Sequence, residues 1–209
     1  MGPSTLFPFT YSVFSVVTDQ NIKDMIMKMS SSSCLLDPQP TWLLKKSLMS
    51  NLPILTRIVN LSLQSGSFPI DAHQAIVTPI IKKPSLDKEE LRNYRPVSNL
   101  SFVAKLSEKV VASQFVDHLF RHELHDCMRS AYRANFSTET ALIKLKNDVL
   151  LAFDSHRSVS VVFLDLTAAF DTVDNDGPLR LLESRCRLSG VALQWMRLCL
   201  IEWSSRVSI

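Results

Sequence analysis

One stretch constrains this chain more than any other. Val159, Val161, Val162, Phe163 and Leu164 form a β-branched and aromatic run of strand length that ends on Asp165. That composition suits a buried strand better than one face of a helix. A carboxylate closing so apolar a run is costly to bury unless something pairs with it, and a divalent cation is one such partner. Thr167, Ala168 and Ala169 are small and leave room for a ligand to approach, while Phe170 and Asp171 follow within six residues of Asp165.

Other stretches fall into an order that belongs with this one. Ser33-Cys-Leu-Leu-Asp-Pro-Gln-Pro-Thr-Trp-Leu-Leu44 comes first, then Val77-Thr-Pro-Ile-Ile-Lys-Lys83, then Asn93-Tyr-Arg-Pro-Val-Ser-Asn-Leu-Ser101. Ser130-Ala-Tyr-Arg133 follows with Ser137-Thr-Glu-Thr-Ala-Leu142, and Phe163-Leu-Asp-Leu-Thr-Ala-Ala-Phe-Asp171 closes the series. Together they resemble the reverse transcriptase domain of LINE-type (non-LTR) retrotransposons, closest to the CR1/L2 group, from about residue 31 onward. The resemblance implies an α+β fold: the fingers and partial palm of a right-hand polymerase, truncated. Residues 1–30 are then a poorly defined lead-in, 31–157 a fingers-like region and 158–209 the start of the palm.

The same resemblance assigns roles. Asp165 is the catalytic carboxylate and metal ligand, joined by the backbone carbonyl of Leu166. Phe170 is the ring that crowds a ribose 2′-hydroxyl, and Asp171 is a weaker candidate, since a short-range hydrogen bond explains it equally well. Lys82, Lys83, Arg95 and Arg133 grip the incoming triphosphate or the template, arginine with bidentate geometry. The implied cofactor is Mg²⁺ or Mn²⁺, and the implied partners are an RNA template, a DNA primer and deoxynucleoside triphosphates. Arg129 and Phe136 depart from the family, which carries Gln and His there.

Two-metal nucleotidyl transfer needs carboxylates from more than one segment. The family's later acidic pair has no counterpart here, because no Asp-Asp occurs in the sequence. The expectation is therefore a reverse transcriptase fragment, inactive alone, whose uncovered palm surface favours aggregation. A non-enzymatic nucleic-acid-binding remnant and an unrelated α/β domain are the competing readings. Two further patterns are weak. Thr172–Glu183 resembles a calcium loop without its first Asp, and His122, His125 and Cys127 lack a fourth zinc ligand.

Composition permits this reading. The net charge is +3. Residues 1–146 carry 17 Lys and Arg against 12 Asp and Glu, and residues 147–209 carry 6 against 8. A basic front and acidic rear suit a phosphate-gripping part before a metal-binding one. The four cysteines show no Cys-x-x-Cys spacing, which favours free thiols in a reducing compartment. The N-terminus lacks a basic n-region and no apolar run is long enough to span a membrane, so no secretion signal or membrane span is expected, and an intracellular site, nucleus or cytoplasm, follows.

Local signals fill in the elements. Helices are expected at Gln20–Met29 and Thr41–Met49, and another opens at Pro53, presents Ile54, Leu55, Ile58, Leu61 and Leu63, and stops at Gly66. A strand is expected at Ala75–Ile81, with an extended Tyr94-Arg-Pro96. Later helices are capped by Ser101, by Ser137 or Thr138 and by Ser189, and Pro178 opens one more. The last, Val191–Glu202, presents Leu193, Met196, Leu200 and Trp203.

Overall fold

A computed structural model of the chain describes residues 9–31, 33–68, 73–126, 128–165, 173–174, 176–201 and 204–208. The chain divides into two compact units. Unit 1 comprises Met1–Arg121 and Asp174–Ile209, and unit 2 comprises His122–Val173.

Unit 1 holds the core. Helix α1 (Asp19–Lys28) starts at Thr18, whose hydroxyl accepts the Asn21 N–H while the Asn21 side chain accepts the Thr18 N–H. This reciprocal cap satisfies backbone donors that the first turn leaves open. Ile22 and Ile26, one turn apart, are fully buried. After the short α2 (Thr41–Lys46), α3 (Leu48–Ser65) presents Leu48, Leu52, Leu55, Val59 and Leu63 to the same core. The chain expected at Pro53 to begin a helix is already inside one. Pro53 cannot donate to the Met49 carbonyl, and the burial of Leu52 and Leu55 on either side outweighs that loss. The stripe is accordingly rotated, and Ile54 and Leu61 face solvent. Gly66 ends α3 at φ 66°, as expected, and its N–H donates to the Ser62 carbonyl.

The remaining helices of unit 1 are α4 (Phe102–Arg121), α6 (Asp176–Ser184) and α7 (Gly190–Leu200). Phe102, Leu106 and Val110 of α4 are buried on one stripe, as their spacing predicts. Helix α7 buries Ala192 and Trp195 rather than the expected Leu193 and Leu200, with Met196 packed at the core's margin. Trp203 lies outside the described residues. Phe14 and Phe68 both meet the Trp195 ring edge-on, with centroids 5.9 and 5.3 Å away. Phe14 and Val17 are buried and Tyr11 packs against the core, so this part of the expected loose lead-in contributes side chains to the core. Tyr11 bridges to Leu188, and its hydroxyl donates to the Gln114 side chain at 3.2 Å.

The sheet has the order β2-β1-β3. Strand β1 (Gln74–Ile81) pairs antiparallel with β2 (Tyr94–Leu100) and parallel with β3 (Ser204–Val207). Between α4 and α7, half-buried Glu108 accepts a weak hydrogen bond from the Cys199 thiol at 3.9 Å. Burial pushes the Glu108 carboxyl above its ordinary range, while that thiol and Lys105 pull it back. Burial also pushes the Cys199 thiol up to about 12, with the neighbouring Glu108 charge adding to the effect. No helix among the described residues is long and apolar enough to cross a membrane.

Unit 2 is built on α5 (Thr138–Asp154), capped as expected by Ser137 in a reciprocal pair with Thr140. None of its residues is buried, and Leu142, Ile143 and Phe153 stand in solvent. The expected strand at Val159–Leu164 does not form. Residues 157–165 have no regular structure, and Phe163 and Leu164 are 79% and 88% exposed. A buried strand needs hydrogen-bonded neighbours at its edges, and no described strand pairs with this segment.

Candidate nucleic-acid interface

Two of the motifs form one hairpin. Val77–Lys83 is the outer half of β1 and its turn, and Asn93–Ser101 is β2, so Arg95 stands opposite Ile80 and Pro79 opposite Pro96. Facing prolines suit this register. The Lys82 N–H donates to the Asn93 carbonyl at 2.8 Å, and antiparallel pairs alternate between bonded and non-bonded. Pro79 and Pro96 therefore fall on a non-bonded pair, where their missing N–H groups interrupt no rung between β1 and β2. The β1–β3 pairing ends at Val77, short of Pro79.

The first motif locks onto that hairpin. The Cys34 thiol donates to the Asn99 carbonyl at 3.4 Å, and the Asn99 amide donates to the Ser33 carbonyl at 3.2 Å. Asp37 takes both ends of the join. One carboxylate oxygen accepts the Phe102 N–H at 2.6 Å, capping α4 from 65 residues away, and the other accepts the Cys34 N–H at 3.1 Å. A cavity of about 350 Å³ lies over this junction, lined by Ser33, Cys34, Asp37, Ile76, Thr78 and Asn99.

The hairpin register brings Lys82 and Arg95 to one side, and Lys83 follows in the turn; all three are exposed. The Lys82 ammonium donates to the Arg92 carbonyl at 2.7 Å, which ties its stem to the turn. Arg92 itself is paired with Glu90 at 2.6 Å. In unit 2, Arg133 is engaged locally. It donates to the Arg129 carbonyl at 3.1 Å, and its guanidinium lies 4.3 Å from the Phe136 ring centre. Phe136 is one of the two departures from the family pattern, and it supplies the surface on which Arg133 rests.

Asp165 is exposed at the end of the irregular 157–165 segment. Leu166, Phe170 and Asp171 lie outside the described residues. Among the described residues no group of three or more His, Cys, Asp or Glu side chains is gathered as a metal cluster. One exposed carboxylate does not fit a site that must hold two divalent cations about 4 Å apart.

The chain is 32% identical over 123 residues to the probable RNA-directed DNA polymerase of transposon BS from Drosophila melanogaster, a match covering 59% of this chain and 14% of that protein. It is 28% identical over 119 residues to the corresponding protein of the Drosophila X-element, covering 57% of this chain and 13% of the relative. The matched stretch is similar to part of a transposon reverse transcriptase. No family model matches the chain. The reverse-transcriptase-like stretch thus spans about one seventh of these curated relatives.

Sequence reasoning overlooked Arg206, on a strand that was not expected. The alternation of Ser204-Ser-Arg-Val207 is too short to announce β3, and the parallel register opposite Gln74–Val77 is what reveals it.

Proposed function

We propose that this chain is a segment of a retrotransposon reverse transcriptase of the LINE type, CR1/L2-like, whose hairpin cations contact nucleic acid or triphosphate. The observation that carries the reading is the series of five motifs in family order, two of them paired as one hairpin and a third bonded to it through Ser33, Cys34 and Asn99. The similarity to transposon RNA-directed DNA polymerases supports it. On this reading Lys82, Lys83, Arg95 and Arg133 face template or triphosphate. Asp165 with the Leu166 carbonyl would ligate Mg²⁺ or Mn²⁺ in a complete site, and Phe170 would select deoxynucleotides. The right-hand arrangement, with fingers over 31–157 and the opening of the palm over 158–209, belongs to the same proposal. The isolated chain does not extend primers, because among the described residues Asp165 belongs to no group of three or more His, Cys, Asp or Glu side chains that could hold a metal ion.

A primer-extension assay with Mg²⁺ or Mn²⁺ tests the catalytic part. No extension is expected. Extension that disappears in Asp165→Ala would overturn the inactivity. A second reading, nucleic-acid binding without catalysis, is favoured by the exposed, unstructured setting of Asp165. RNA binding by the chain, weakened in Arg95→Ala and Arg133→Ala, is expected on both readings, and its absence would sink both.

A further inference from the structure

The sheet's charges are segregated. Alternation along a strand sends neighbours to opposite faces, and residues paired across strands share a face. Arg95 is opposite Ile80 and Arg206 is opposite Ile76, so both stand on the face of β1's even-numbered residues. The Lys82–Asn93 bond continues the ladder one step and brings Lys82 to the same side. The opposite face, from Ala75 to Ile81 with its partners Tyr94 to Leu100, Ser205 and Val207, holds no charged residue. Asp37 is the carboxylate lining the cavity on the cationic face, and both its oxygens are occupied by backbone N–H groups.

This placement runs from edge to edge, with Ile76 beside Arg206 buried and Thr78 exposed midway. Arg206 lies on β3 and Arg95 on β2, with β1 between them. Two strand spacings across and four residues along put their Cα atoms about 16 Å apart. A stacked strand rising about 3.4 Å per phosphate covers that distance in about five nucleotides. Between the two arginines the surface is exposed at Thr78, at Ile80 (47%) and at Val97 (39%), which offers sugars and bases an apolar rest without base-specific donors. We infer that Arg206 is a nucleic-acid contact residue, and that a single strand crosses this face diagonally from Arg206 on β3 to Arg95 and Lys82 on the hairpin. The inference rests on the proposed role of the hairpin cations and extends it to a third strand. It is backbone recognition, so it is indifferent to sequence.

The test is fluorescence anisotropy of a short labelled oligouridine strand titrated with the full 209-residue chain at several KCl concentrations. Arg206→Ala should lower the slope of log affinity against log salt by about 0.7, the single-strand value for one phosphate contact. Arg206→Lys should keep the slope. Arg92→Ala should also keep it, since Glu90 already pairs that charge. Far-UV circular dichroism checks that β3 survives. If the alanine variant loses its fold, the slope of Arg206→Gln decides instead. An unchanged slope in a folded, uncharged Arg206 variant, with Arg95→Ala still reducing it, overturns this inference and leaves the hairpin reading standing. Unchanged slopes in both overturn the two together.

Discussion

The Trp195 indole N–H donates to the Ser62 hydroxyl at 2.9 Å, a buried bond joining residues 133 apart in sequence. Ser62 passes the bond on, its hydroxyl donating to the Ser67 carbonyl at 2.7 Å. The last helix of unit 1 is thus pinned to the end of α3. Gly66 explains how closely they meet, since a Cβ there would lie 3.0 Å from the Val191 carbonyl oxygen.

Removing this anchor should be costly. Trp195→Ala is expected to destabilise unit 1 by about 3–5 kcal/mol, the cost of emptying a large aromatic site. Trp195→Phe should lose about 1 kcal/mol for the hydrogen bond, plus a smaller packing loss. Urea unfolding of both variants measures the difference, and equal midpoints would contradict the bond's contribution.

Asp37 should matter as a cap before it matters to any ligand. Asp37→Ala leaves the Phe102 N–H without its acceptor, and a loss of about 0.5–2 kcal/mol is expected. Asp37→Asn should fall between, because an amide oxygen can accept one of the two bonds. Equal stability of Asp37→Ala and the parent chain would remove Asp37 from this role.

Glu108 should give unit 1 a pH dependence of definite sign. Its folded-state carboxyl titrates above the ordinary value, chiefly through burial. The folded chain therefore holds this proton more tightly than the unfolded chain does. The contribution is complete below the unfolded value of about 4.5 and is lost as pH rises through the raised folded value. Glu108→Gln should accordingly melt higher than the parent at pH 7, with the gap closing as pH is lowered. A constant gap across that range would show that Glu108 does not titrate as its burial implies. Cys199, held protonated in the same place, should react slowly with iodoacetamide at pH 8 until the chain is unfolded.

The exposed 157–165 segment should control solubility more than stability. Phe163→Lys and Leu164→Lys touch side chains already in solvent, so changes within about 0.5 kcal/mol are expected. Light scattering at high concentration should fall, because an apolar, β-prone run is interrupted by charge. Unaltered aggregation would place its source elsewhere, with α5's exposed Ile143 and Phe153 next in line.

What could be read in advance was local. The cap at Ser137, the stop at Gly66 and the extended Tyr94-Arg-Pro96 each follow from the chemistry of one or two residues. Pro53 misled because helix breakage is a local tendency, and the leucines around it bury enough surface to override it. Val159–Leu164 misled for a related reason. Its composition states a preference for a buried strand, but a strand exists only where partners meet it in space. The phase of α7 also escaped, since Leu193 and Trp195 both read as apolar and only packing against Phe14 and Phe68 decides between them. Of the candidate site, the grouping of Lys82 and Lys83 was visible from adjacency. The alignment of Lys82 and Arg95 with Arg206 depends on a pairing across more than a hundred residues.

That late pairing has a kinetic side. Unit 1 is interrupted in sequence by all of unit 2, and its Trp195 anchor is made 133 residues after Ser62. At about 5–20 residues per second of synthesis, the early helices wait roughly 7–27 s on the ribosome before their central aromatic arrives. During that interval Leu63, Phe14 and Phe68 have no finished interior to enter. Chaperone occupancy of the nascent chain should peak before α7 emerges and fall once it docks.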